Sequence, residues 1–160
     1  MAENSPQRVV VLGGGIGGQV AATRLKQKLG SAARVILIER STTFTFAPSL
    51  LWLMVGKRQP KTITRDYSGL SRSGVELVHE TVTGIDTSAS EVQTESGVVG
   101  YDHLVVALGA VLDPERIPGL SEHTHHPYDL PSAERLRDAL HRFTGGRVTV
   151  AIASLPYKCP

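Results

Sequence analysis

The residues best suited to chemistry are a consecutive run, Gly13-Gly14-Gly15-Ile16-Gly17-Gly18, and one carboxylate, Glu39. The run fits the spacing G-x-G-x-x-G. Gly13 permits a tight turn, Gly15 lets backbone N–H groups approach a pyrophosphate, and Gly18 lets a helix pack closely on a strand. Ile16 and Gly17 lie between them, where a helix N-terminus offers unpaired N–H donors and partial positive charge to phosphates. Glu39 can accept hydrogen bonds from both hydroxyls of an adenosine ribose, and it repels a 2′-phosphate. The pattern points to a dinucleotide with a free ribose, FAD or NAD rather than NADP. The bland alternative is a glycine-rich turn that binds nothing, and with sixteen glycines in the chain the bare motif is weak. Context decides, because the motif needs a strand before it, a helix after it and a second strand ending at the acid.

The apolar pattern supplies that context. In residues 8–12, Arg8 leads into a continuous apolar run, Val9-Val10-Val11-Leu12, suited to a strand buried on both faces of a parallel sheet. In residues 19–29, Val20, Ala21, Leu25 and Leu29 recur at helical spacing, and Gly30 follows as a C-terminal cap. Residues 34–39 read as a second buried strand, completing a right-handed βαβ unit. Residues 40–73 are less regular, with Pro48, Pro60, the aromatics Phe44, Phe46 and Trp52, and a short helix expected over 50–54. Residues 75–78, 81–85 and 91–94 are short β-like pieces, expected to form an inserted antiparallel meander. Residues 104–108 read as another buried parallel strand, ending at Gly109. After a proline-punctuated loop, Ser132 is expected to cap a helix running to Phe143, and residues 147–153 to form one more strand. The expected fold is α/β, a Rossmann-like three-layer dinucleotide-binding domain with an inserted antiparallel β-meander. Residues 1–112 form that domain, and 113–160 a connector, helix and first strand of a second α/β domain.

Composition bounds the alternatives. The chain has 160 residues, 41% hydrophobic and 20% charged, within the globular range and unlike a disordered chain. Seventeen Lys plus Arg oppose fifteen Asp plus Glu without any run of like charge, so nucleic-acid binding has no support. The single cysteine, Cys159, excludes an internal disulfide framework and a Cys-rich zinc site. His123, His125 and His126, near Asp129 and without any cysteine beside them, read as a solvated loop, so no metal is expected. No secretory signal is visible at the N-terminus, which suggests a cytoplasmic chain.

At Tyr101-Asp102-His103-Leu104, leading into Ala107-Leu108-Gly109, the sequence resembles the pyridine nucleotide-disulfide oxidoreductase-like flavoproteins. That family carries a Tyr-Asp-x-Leu segment before an ATG-like motif; Leu108 stands where Thr is frequent. Within it, Thr43-Phe44-Thr45-Phe46-Ala47-Pro48-Ser49 resembles the FTF-x-PS segment of sulfide:quinone oxidoreductases and flavocytochrome c sulfide dehydrogenases. Pro156-Tyr157-Lys158-Cys159-Pro160 is similar to the start of their KCPPAPYE stretch. NADH-using relatives carry a second G-x-G-x-x-G after the strand equivalent to residues 148–153. This chain has Ala153-Ser154-Leu155-Pro156 there, without a glycine to cradle phosphate.

The resemblance implies an extended FAD, with its pyrophosphate on residues 13–18, its ribose on Glu39 and Arg40 near the adenosine. It implies adenine at the Val82 backbone, Ala107, Leu108 and Gly109 along the pyrophosphate and ribitol, and Pro48 at the isoalloxazine. It further implies that Cys159 is redox-active beside the flavin together with a later cysteine, forming a persulfide from sulfide and passing electrons through flavin to quinone. The competing reading of Cys159 is an exposed thiol at a frayed terminus. Peripheral membrane association would come from C-terminal segments of full-length relatives, so the chain is expected to be an N-terminal part, inactive alone. The alternatives are a type II NADH:quinone dehydrogenase-like flavoprotein, or a stand-alone FAD- or NAD-binding module.

Overall fold

The computed structural model describes residues 5–153. Strand β1 (Gln7–Leu12), helix α1 (Ile16–Leu29) and strand β2 (Ala33–Ile38) open the chain. Then come β3 (Thr43–Thr45), α2 (Leu50–Met54), α3 (Pro60–Ile63), β4 (Thr64–Asp66), α4 (Ser68–Arg72) and β5 (Glu76–Val78). The remainder is β6 (Val82–Asp86), β7 (Glu91–Thr94), β8 (Val98–Gly100), β9 (His103–Val106), α5 (Leu120–His123) and α6 (Leu130–Arg142). The contacts divide the chain into two units, one of residues 1–45 with 64–110 and the other of 46–63 with 111–160.

The first unit is built on a four-stranded sheet in the order β5-β2-β1-β9, every pairing parallel. Its apolar runs are uninterrupted because both faces are covered. Val9, Val11, Val35 and Leu37 point to one face, where they pack with Ala22 of α1 and with Tyr67, Leu70 and Val75. Val10, Leu12, Ile36 and Ile38 point to the other, against Val92 and the half-buried Val82 and Val99 of an antiparallel sheet, β6-β7-β8. The three layers are therefore helix, parallel sheet and meander, as the patterning predicts. Burying each Leu or Ile side chain contributes about 1.5–3 kcal/mol, so this two-sided core is what fixes the ends of β1 and β2.

Two local expectations are corrected here. Residues 75–78 do not join the meander; Glu76–Val78 pairs in parallel with Ile36–Ile38. Leu77 packs on the helix side and Val78 on the meander side, which is the demand of a strand inside a covered sheet. Helix α1 also leaves Val20 and Leu29, two of its four expected apolar positions, exposed. Its buried positions are Gly18 and Ala22, with Leu25 packed against the core, whereas Val20 is 55% exposed. Small residues win because they let the helix axis approach the sheet.

In the second unit Leu50 and Leu53 of α2 pack with Ile63, Ala133 and Leu130. Asp129, not Ser132, caps α6: its carboxylate accepts the Ser132 N–H at 2.8 Å. Pro131 has no N–H to satisfy and suits the first turn, so the helix begins before Ser132. Residues 147–153 form no strand, and Val150 is 90% exposed. A strand needs a neighbour for its hydrogen bonds, and among the described residues none pairs with this segment.

Candidate functional site

The glycine loop lies where β1, β2 and β9 end together. Gly13 N–H donates to the Ile38 carbonyl at 2.9 Å, and Ala107 N–H donates to the Leu12 carbonyl at 2.8 Å. This is the carboxyl edge of a parallel sheet, where open α/β folds bind ligands. Gly13 has φ +95°, and a Cβ there would lie 2.5 Å from the Ala107 carbonyl oxygen. A Cβ on Gly18 would lie 1.8 Å from the Gly13 carbonyl oxygen, so the turn, the helix start and the 107–109 segment are mutually close-packed.

The middle of the loop is the opposite. Nothing lies within 4 Å of where a Cβ on Gly15 or Gly17 would stand, and Ile16 is 49% exposed. Helix α1 starts there with Gly15 as N-cap, no side-chain cap and no acid in its first turn. The outward surface is thus bare backbone at a helix N-terminus, with room for an anion to reach the N–H groups.

Glu39 sits half-buried at the end of β2 and is already oriented. Its Oε2 accepts the Gly14 N–H at 2.6 Å, and its Oε1 accepts the Ser41 N–H at 2.8 Å. A carboxylate offers roughly four acceptor positions, so each oxygen keeps one for a ribose hydroxyl. The Gly14 carbonyl in turn accepts from the Tyr67 hydroxyl at 3.1 Å and from Gln19 Nε2 at 2.8 Å. Burial, and secondarily the Glu39 charge, push the Tyr67 phenol up to about 12. His79 Nδ1 lies 3.3 Å from the Glu39 carbonyl and 3.1 Å from that of Ser41, which requires the Nδ1–H tautomer.

The structure thus brings Gly13, Gly15, Ile16, Gly17, Gly18, Glu39 and Ala107 together. Leu108 and Gly109 follow directly, exposed, with Gly109 at φ +75°. Arg40 is exposed beside Glu39, and Val82 is half-buried at the start of β6, just before a β-bulge. Pro48 belongs to the second unit, in the 3-10 turn Ala47–Ser49. Cys159 lies outside the described residues. Sequence reasoning missed Gln19, Ser41, Tyr67 and His79; a buried tyrosine in an irregular segment carries no local signal of what it touches.

A parallel sheet with a glycine loop at its carboxyl edge and an oriented acid on the next strand defines a dinucleotide-binding α/β protein. The open cradle at Gly15 and the spare acceptors of Glu39 fit the adenosine diphosphate half of FAD. Residues 7–152 match the family described as pyridine nucleotide-disulphide oxidoreductase, and the chain belongs to it. Among curated proteins, mitochondrial sulfide:quinone oxidoreductase of Mus musculus is 32% identical over 159 residues, covering 94% of this chain and 35% of its own length. Type II NADH:quinone oxidoreductase of Staphylococcus epidermidis is 29% identical over 138 residues, covering 81% of this chain and 33% of that protein. Among solved structures, sulfide:quinone oxidoreductase from Aquifex aeolicus superposes with TM-score 0.78 at 30% identity, covering 84% of this chain and 32% of that one. The chain therefore spans about a third of the length of these relatives. It carries the fold of a flavin-dependent oxidoreductase whose cofactor is FAD.

Proposed function

We propose that this chain is the N-terminal FAD-binding part of a sulfide:quinone oxidoreductase-like enzyme, with sulfide as electron donor and a quinone as acceptor. The observation that carries the reading is the agreement of two comparisons. The two sulfide:quinone oxidoreductases named above match at 32% identity in sequence and 30% in solved structure, each over most of this chain. Ala153-Ser154-Leu155-Pro156, standing where NADH-using relatives carry a second glycine loop, supports it against an NADH-using enzyme. Gly15, Ile16 and Gly17 hold the pyrophosphate and Glu39 the adenosine ribose. Ala107, Leu108 and Gly109 run along the chain of the cofactor, and Val82 and Arg40 lie by its adenine end. Bound FAD supplies a two-electron acceptor, and Cys159 supplies the thiol that takes up sulfur.

The test is anaerobic reduction of the flavin-loaded enzyme that contains this chain, followed at the flavin absorption band. Sulfide should bleach it and a short-chain ubiquinone restore it, and Cys159→Ser should keep the flavin bound while blocking bleaching by sulfide. Bleaching by NADH with no response to sulfide would transfer the reading to the type II NADH:quinone class, which also matches this chain.

A further inference from the structure

We propose that Tyr67 is a positioning residue for the dinucleotide site, holding Gly14 and Glu39 in the arrangement that makes the site select a free 2′-hydroxyl. This rests on the reading of the glycine loop and Glu39 as an adenine dinucleotide site.

The two peptide units flanking the Gly14 Cα are each pinned. One N–H goes to the Glu39 carboxylate at 2.6 Å, and the next carbonyl takes the Tyr67 hydroxyl at 3.1 Å and the Gln19 amide at 2.8 Å. The space a Gly14 side chain would need is already filled, since a Cβ there would lie 2.6 Å from the Tyr67 oxygen and 2.8 Å from Glu39 Cγ. Tyr67 thus stands against Gly14 and Glu39 at once. Its ring also meets His79, with centroids 5.9 Å apart, and His79 is the residue bonded to the Glu39 and Ser41 carbonyls. The contacts close a circuit from Gly14 to Tyr67, to His79, to the 39–41 backbone, and back through the Glu39 carboxylate.

That circuit holds the carboxylate in place, and each of its oxygens, with one N–H bound, keeps one acceptor position. Such an acid distinguishes a ribose with both hydroxyls from one that lacks the 2′-hydroxyl. Discrimination needs the carboxylate held within a fraction of an ångström, which is the task of its supporting side chains. Tyr67 itself is 5% exposed and donates its only hydroxyl proton to Gly14, so it has no proton left to offer a ligand.

The test is calorimetric titration of the protein and of Tyr67→Phe with ADP and with 2′-deoxy-ADP. A hydrogen bond to a charged acceptor is worth about tenfold or more in affinity, so the native protein should prefer ADP by about that factor. In Tyr67→Phe the preference should fall to about threefold or less. Tyr67→Phe keeps the ring, and Gln19 still serves the Gly14 carbonyl. Any loss of folded protein lowers both affinities equally and leaves their ratio unchanged, so instability cannot imitate the result. An unchanged preference in Tyr67→Phe overturns the positioning role while leaving the site intact. A native protein that binds neither ADP nor FAD overturns the site reading itself.

Discussion

The glycine loop separates folding from binding at a single atom position, and Gly15→Val exploits that. Gly15 has φ −67° and ψ −176°, extended backbone that valine adopts readily, and nothing lies within 4 Å of its Cβ position. The only structural cost is the poorer N-cap, about 1 kcal/mol, or a fall in melting temperature of about 2–4 °C for a chain of this size. Binding is another matter. The valine methyl groups would occupy the space through which a pyrophosphate reaches the N–H groups around residues 15–17. Each hydrogen bond to a charged oxygen contributes about 1.5–3 kcal/mol. Losing two therefore costs roughly 3–6 kcal/mol, at least about 100-fold in affinity. Quenching of FAD fluorescence by the apoprotein measures the affinity, and a thermal melt measures the fold. A variant that binds FAD like the native protein refutes the placement of the pyrophosphate; one that does not fold refutes the open space assigned to Gly15.

Gly18→Ala should behave in the reverse way, because its Cβ would sit 1.8 Å from the Gly13 carbonyl oxygen, a backbone atom. We expect a loss of about 3 kcal/mol in urea-induced unfolding, and an unchanged midpoint would contradict the close packing of α1 on the turn. Tyr67 makes stability fall at high pH. Its phenol ionises near 10 in the unfolded chain and at about 12 in the fold, so below pH 10 its contribution is complete and both states are neutral. Between pH 10 and 12 the unfolded chain gives up the proton first, and stability should drop by about 2–3 kcal/mol. Urea unfolding across that range should show a steeper decline for the native protein than for Tyr67→Phe, and parallel declines would refute the burial of the hydroxyl.

Much of the site was legible because its logic is local. Strand, glycine loop, helix and second strand follow one another within about forty residues, each marked by its own residue types, and Gly13, Gly18 and Glu39 fell where those types require. The supporting shell was not legible. Tyr67 reaches Gly14 across 53 residues of sequence, from a segment with no periodicity to announce it. Ala22 on the inner face of α1 had no such signal, because it earns its place by being small, a property that apolar periodicity does not score. Strand β5 was misplaced because three residues cannot tell a meander from a sheet edge until their neighbour is known. The strand expected at 147–153 has the right residues and no partner among the described ones, so composition alone did not make it a strand.

The loop at Gly13–Gly18 and the carboxylate of Glu39 are proposed to hold FAD by its adenosine diphosphate half. The most direct measurement is equilibrium titration of the purified 160-residue chain with FAD, with ADP then added as competitor and NAD as comparison. We expect saturable binding of one FAD per chain, displaced by ADP because the two share the half that the loop and Glu39 hold. A chain that takes up NAD and leaves FAD free, or binds FAD that ADP fails to displace, would contradict it.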